Sequence, residues 1–304
     1  MRQYLVQRTA PTVEPLSLVE AKSHLRVDIT DDDALITSLV TAARQYAEQI
    51  TRRAFIAQRW TSALDTFPRP GFNVGSANWY GPQWGINPGP LTVLSPEGET
   101  GYEIYLPYAP TLFVESVQYI DTTSPAGILQ TLDPTKYQLD LSEPACLTPA
   151  FGTVWPETQM QKGAVTIKFS AGFACPLTAD ATADTISVPI WPVLAIGATV
   201  RLSNTGGTLP APLQAATDYF VQSVPSAGVY KLSATSGGSA IDITTVGTGT
   251  SFVGVVPPGI LAWLKIRMGS MYENREEVAL LNRGKIELLP FVDGLLDNFR
   301  VLTF

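Results

Sequence analysis

Residues 15–54, PLSLVEAKSHLRVDITDDDALITSLVTAARQYAEQITRRA, decide how the rest of the chain is read. Ser17 followed by Glu20 is a capping box: the hydroxyl takes a first-turn amide while the carboxylate reaches back to the cap. Leu18, Ala21, Lys22 and Leu25 then recur at helical spacing, and Val27-Asp28 ends the element. A second start follows at Thr30, where Asp31, Asp32 and Asp33 put negative charge at the positive end of the helix dipole. Leu35, Ile36, Leu39, Val40, Ala43, Tyr46, Ala47 and Ile50 form one broad apolar stripe. Thr37, Thr41, Arg44, Gln45 and Glu48 occupy the opposite face, and Arg52-Arg53 sit at the C-terminal end, where the dipole favours cations.

Neither helix can bury its stripe alone, and the matching partner lies more than two hundred residues away. Pro257-Pro258-Gly259 leads into ILAWLKIRMGSMYENREEV, a helix predicted from Pro257 to Arg275, with proline suited to its first turn. Ile260, Leu261, Leu264, Met268, Met271 and Tyr272 line one face, and Gly269 is a soft point. Packing the three helices together solves both burial problems. The two chain ends therefore form one helical unit, and the middle is attached to it.

That middle reads as strands and loops. Expected strands are Phe55–Leu64, Ile104–Leu106, Leu112–Ile120, Tyr137–Leu141 and Ala164–Phe169, a small antiparallel sheet beside the helices. Between them, residues 68–101 are rich in Gly and Pro and carry Trp79, Tyr80 and Trp84 without clear periodicity. A loop of that length is functional or mobile as a rule. Its aromatics read as a contact for a partner or another subunit, with a sugar-binding tip as the alternative. From Ala174 to Val256 charges become sparse, and Thr, Ser, Ala, Gly and Val dominate. Short strands at Thr185–Val188, Thr199–Ser203, Tyr219–Val224, Val229–Ala234 and Ile241–Thr245, punctuated by Gly-rich turns, indicate an all-β sandwich or barrel. The fold class is thus α+β. Residues 1–173 and 257–304 form a discontinuous domain, and 174–256 form an inserted all-β domain.

Composition narrows the function. A chain of 304 residues can bury a sizeable core. Its net charge of −7 argues against a DNA wrapper, which needs many Lys and Arg phosphate contacts. Charged residues make up 15%, below the usual ~25%, so much of the surface is uncharged. Cys146 and Cys175 are too few for a disulfide framework and match no metal spacing. No apolar run approaches the ~20 residues of a membrane span. The first residues lack the apolar core of a signal peptide, so the expected site of folding is a cytoplasm.

The inventory for chemistry is thin. His24 is the one histidine, and no G-x-S-x-G elbow accompanies it. Gly-rich stretches at 205–208 and 247–250 lack the Lys and the helix of a phosphate loop. Asp31-Asp32-Asp33 lacks the distal ligands of a calcium loop and reads as helix-start charge. No catalytic, metal or cofactor residue is assigned, and an enzyme is not expected. An unmarked carboxylate pair for glycoside cleavage stays open from sequence.

The segment 15–54 resembles the start of the tailed-phage head–tail connector (adaptor, or head-completion) proteins. IAQRWTSALDTFP (56–68), FVESVQYID (113–121), LDPTKYQLDL (132–141), AVTIKFSAGF (164–173) and the late helix with MYENREE follow in that family's order. The region 198–244 resembles a β module embedded in various phage virion proteins, and it departs from the minimal connector pattern. The resemblance implies a structural virion protein: about twelve copies closed into a ring under a portal. That ring would extend the DNA channel and dock a stopper or tail-completion protein below, with assembly in the bacterial cytoplasm. An acidic lumen would let DNA pass without capturing its phosphates. The tail, 286–304, is expected to supply a portal-binding arm through Leu295, Leu296, Phe299, Val301, Leu302 and Phe304, or else to fold back on the chain's own core. Strand addition would suit Val301–Phe304. The alternative function is a receptor- or glycan-binding virion module built on the β domain and the Trp loop.

Overall fold

Both ends of the chain meet in one helical unit. The computed structural model describes residues 3–68, 102–124, 126–274 and 290–301. Its helices are α1 (Leu18–Leu25), α2 (Asp33–Thr51), α3 (Pro258–Glu273) and α4 (Pro290–Asp297). α2 and α3 pack along each other, α1 lies against both, and α4 lies against α3 and α2. Ile36, Val40, Leu16, Ala21 and Met268 fill one end of this unit. Ala43, Ala47, Phe55, Ile260, Trp263, Leu264 and Leu296 fill the other. α1 stops where Arg26 turns into the left-handed region at φ 56°, and Arg52 does the same after α2.

Two expectations for the helices need correction. Trp263, left out of the predicted face of α3, is the largest fully buried side chain among the described residues. Arg44 and Glu48, placed on the polar face of α2, are buried too. α2 is covered on both sides, by α3 on one and by the N-terminal segment and a sheet on the other, so its second face meets protein instead of water.

Before residue 174 the strands are β1 (Gln3–Thr9), β2 (Gln58–Leu64), β3 (Ile104–Tyr105), β4 (Thr111–Ile120), β5 (Leu129–Thr131), β6 (Tyr137–Asp140), β7 (Cys146–Pro149) and β8 (Val165–Ala171). A five-stranded antiparallel sheet runs β1-β2-β8-β4-β5, and a smaller one runs β3-β7-β6. Strict alternation along β2 sends Trp60 and Leu64 inward with Val165, Ile167 and Phe169 of β8 and Val117 of β4. The ladder of β2 begins at Gln58 instead of Phe55 because residues 54–57 bond elsewhere. Phe173 and Ala174 donate to the carbonyls of Ala54 and Phe55, and Ala57 donates to Ala174 at 2.7 Å. Gly172 is required at this crossing, since a β-carbon there would lie 2.5 Å from the Ala57 backbone.

From residue 174 the strands are β9 (Ala174–Pro176), β10 (Thr178–Asp180), β11 (Thr185–Ser187), β12 (Thr199–Thr205), β13 (Asp218–Ser226), β14 (Val229–Ser233) and β15 (Thr250–Gly254). They form one antiparallel sheet in the order β10-β11-β14-β13-β12-β15-β9. Its two outermost strands are consecutive in sequence, with only Leu177 between them. One bent segment therefore pairs with β15 before the bend and with β11 after it, and the sheet curls into a half-open barrel. Cys175, Ile186, Val200, Leu202, Val221, Tyr230, Leu232 and Val253 fill its interior. The strand expected at Ile241–Thr245 does not form. The Asp184 carboxylate takes the Ile243 amide at 3.0 Å, and the carbonyls of Leu232 and Ala211 take those of Ile241 and Thr244. Single bonds to three different elements replace a ladder. The place in the sheet is filled by β15, whose Gly- and Thr-rich surroundings hid it.

Candidate functional site

The C-terminal arm is seated on the C-terminal end of α2. Leu296 is fully buried, and Leu295 and Phe299 pack on the same cluster as Trp263 and Leu264. The Val301 amide donates to the Thr51 carbonyl at 3.0 Å, satisfying one of the carbonyls that α2 leaves open at its end. Arg53, itself buried, donates Nε to the Phe299 carbonyl and spreads its other two nitrogens over the Glu143 carboxylate. Its guanidinium also lies 5.5 Å from the centre of the Phe173 ring. Leu295, Leu296, Phe299 and Val301 thus lie on the chain's own helices. Leu302 and Phe304 fall outside the described residues, as do Trp79, Tyr80 and Trp84. The chain departs toward that Trp-bearing segment beside Phe67 and returns at Tyr102. These roots are joined by Trp155, which stacks on Phe67 at 4.8 Å and donates Nε1 to the Tyr102 carbonyl at 2.7 Å.

A charged network is buried under α2. Arg44 Nε donates to Glu14 at 2.6 Å and its Nη1 to Glu48 at 2.7 Å. The second Glu48 oxygen accepts from the Phe55 amide at 2.8 Å and from Gln58 Nε2 at 2.7 Å, and Gln58 in turn accepts from Gln7 of β1. Burial pushes the Glu48 carboxyl above its ordinary range, against the opposing pull of Arg44 and the Phe55 amide. Both carboxylate oxygens of Glu48 are occupied by protein, so the network clamps α2 to the sheet. Sequence reasoning missed it; its signals were the i, i+4 spacing of Arg44 and Glu48 and the small Ala43 and Ala47 beside them.

Other titratable groups are also engaged in structure. Asp33 pairs with Lys22 at 2.7 Å, and Asp32 accepts from the Tyr272 hydroxyl, so the helix-start carboxylates tie α1 and α3 to α2. Cys146 and Cys175 are both buried, and burial pushes the Cys175 thiol to about 11. His24 lies against Gly269 of α3. Among the described residues no cluster of His, Cys, Asp and Glu could hold a metal, and no helix is long and apolar enough to cross a membrane. An apolar recess lies where the barrel meets the five-stranded sheet, lined by Phe113, Val188, Trp191, Val193 and Tyr230.

Residues 15–71 match the family of phage gp6-like head-tail connector proteins. No curated protein matches the chain significantly in sequence. In fold, the chain is similar to one from the virion of a native gene transfer agent particle. That match has a TM-score of 0.51 at 17% identity and covers 99% of this chain and 96% of the other. It is also similar to a chain from the neck of an empty gene transfer agent particle computed with C6 symmetry. Here the TM-score is 0.50 at 16% identity, covering 99% of this chain and 97% of that one. Both likenesses span nearly the full length of both chains, so the shared fold takes in the barrel as well as the helical unit.

Proposed function

We propose that this chain is a structural neck protein of a phage-like particle, a head–tail adaptor that forms a ring beneath the portal. The observation that carries the reading is the unit built from both chain ends. Its first half matches the connector family over 15–71, and the whole fold is similar to a neck chain. A neck computed with sixfold symmetry accords with a closed ring of six or twelve such chains, and a dodecamer is the proposed state. Residues 1–173 with 257–304 form the ring body, and 174–256 form an inserted barrel. The ring extends the DNA channel, docks a stopper or tail-completion protein below, and is assembled in the host cytoplasm into the virion neck. DNA passes without sequence-specific contact, helped by the net charge of −7.

The arm reaches the portal from the site on α2. Leu295, Leu296, Phe299 and Val301 root it, and Leu302 and Phe304 supply the portal contact by strand addition. Deleting residues 302–304 retains Leu296 and Val301, and the variant is expected to fold. Its affinity for purified portal, measured by biolayer interferometry, is expected to fall about tenfold or more. Undiminished binding would remove the arm from the interface.

A further inference from the structure

One buried hydroxyl ties the barrel to the first helix. Thr205, the last residue of β12, is 6% exposed. Its Oγ1 accepts the Ser17 amide at 3.0 Å and donates to Glu20 Oε2 at 2.8 Å. Ser17 Oγ meanwhile accepts the Glu20 amide at 3.2 Å, as an N-cap should. In an ordinary capping box the glutamate closes directly on the cap amide. Here a threonine 188 residues further along the chain is inserted into that closure, and the cap of α1 is completed by the barrel.

The turn that carries Thr205 is built to hold it still. Asn204 Nδ2 donates to the carbonyls of Thr208 at 3.2 Å and Thr248 at 2.9 Å, and the amides of Thr208 and Thr248 each donate to the other's carbonyl. Gly206 adopts φ +73°, and a β-carbon on it would lie 2.8 Å from Ser17 Cβ, so the turn presses directly on the cap. Nearer the stem, Ala174 bonds along residues 54–57, and Phe252 and Val256 pack with Ile260, Trp263 and Leu264. Thr205 is the polar contact that ties the barrel to α1 beyond that packing.

We infer that Thr205 is the joint that locks the barrel's orientation on the helical unit, so that the barrel and α1 move as one rigid body. The inference does not depend on the neck reading, and its test involves no portal.

Exposed labels at Gln45→Cys on α2 and Ser239→Cys on the barrel report the orientation by electron–electron double resonance, and hydrogen exchange reports the Ser17 amide. With native Thr205 the distance distribution is narrow and Ser17 is protected. Thr205→Ser keeps the hydroxyl and is expected to preserve both. Thr205→Val keeps the volume without the bonds; it is expected to broaden the distribution and speed Ser17 exchange about tenfold or more. A narrow distribution and unchanged protection in Thr205→Val would overturn the joint. Should that variant fail to fold, Glu20→Ala removes the acceptor from the helical side and is expected to broaden the distribution in part. A distribution left unmoved by Glu20→Ala would overturn the joint as well.

Discussion

Replacing Arg44 with methionine is expected to lower the unfolding free energy by about 3–5 kcal/mol, the cost of leaving a buried charge without its partner. Arg44 is the only cation bonded to Glu48 among the described residues, and both side chains are buried between α2 and the sheet. Methionine fills the space of the aliphatic stem and removes the charge. Glu14, which is partly exposed, can turn to water, but Glu48 cannot. Urea denaturation measures the loss. The double variant Arg44→Met, Glu48→Gln should recover much of it, because a neutral amide oxygen can still accept from the Phe55 amide and from Gln58.

The same pair sets a pH dependence with a definite sign. Burial raises the folded-state pKa of Glu48 above its unfolded value, near ~4.3. Such a group contributes stability that is fully present below the unfolded pKa and is lost as pH rises through the folded one. Without Arg44 the folded value moves further up. The deficit of Arg44→Met should therefore shrink as pH falls from about 7.5 toward about 5. A deficit that is independent of pH, or below about 1 kcal/mol, would show that the network is hydrated.

Trp263→Ala is expected to cost about 3–5 kcal/mol, the range for emptying a large aromatic site in a core. Trp263 of α3 is fully buried against Ala43 and Ala47 of α2, Phe55, Leu296 of α4, and Ala174 and Phe252 of the barrel. Its ring stacks on Tyr46 at 6.1 Å. Both chain ends and the barrel stem thus share one side chain, and its loss opens a cavity that no single element can collapse into. The indole nitrogen has no hydrogen-bond partner among the described residues. Trp263→Phe should therefore keep most of the stability, since it gives up volume and no hydrogen bond. Calorimetry on both variants separates the two effects: a large loss for Phe would mean that the nitrogen is satisfied and that packing is the smaller term.

The helical unit was legible because periodicity and caps are local. Ser17, the Asp31–Asp33 run and the stripe from Leu35 to Ile50 placed α1 and α2 within a few residues of their observed bounds. The barrel was legible as a class, through spaced short strands and Gly-rich turns. Its closure was not, because the bend at Leu177 turns one segment into two pairings and leaves no mark on composition. β1 and β15 were missed for a related reason: QYLVQRT and TSFVG gain their strand character from partners 45 residues or more away. The buried network, the Arg53 seat and the Thr205 joint were illegible together. Each uses residue types that normally face water, and only the convergence of distant segments makes them interior. The arm illustrates the limit well: its apolar residues were readable, but whether they cover this chain or another depends on Arg53 and Thr51, which carry no such signal.

The central claim is that these chains close into a ring under a portal. Cryo-electron microscopy of the purified protein mixed with its portal tests it most directly. The expected result is a closed ring stacked coaxially on the portal, with its symmetry and a channel continuous with the portal's. Single chains bound at the portal's periphery, or a portal left bare at saturating protein, would contradict it.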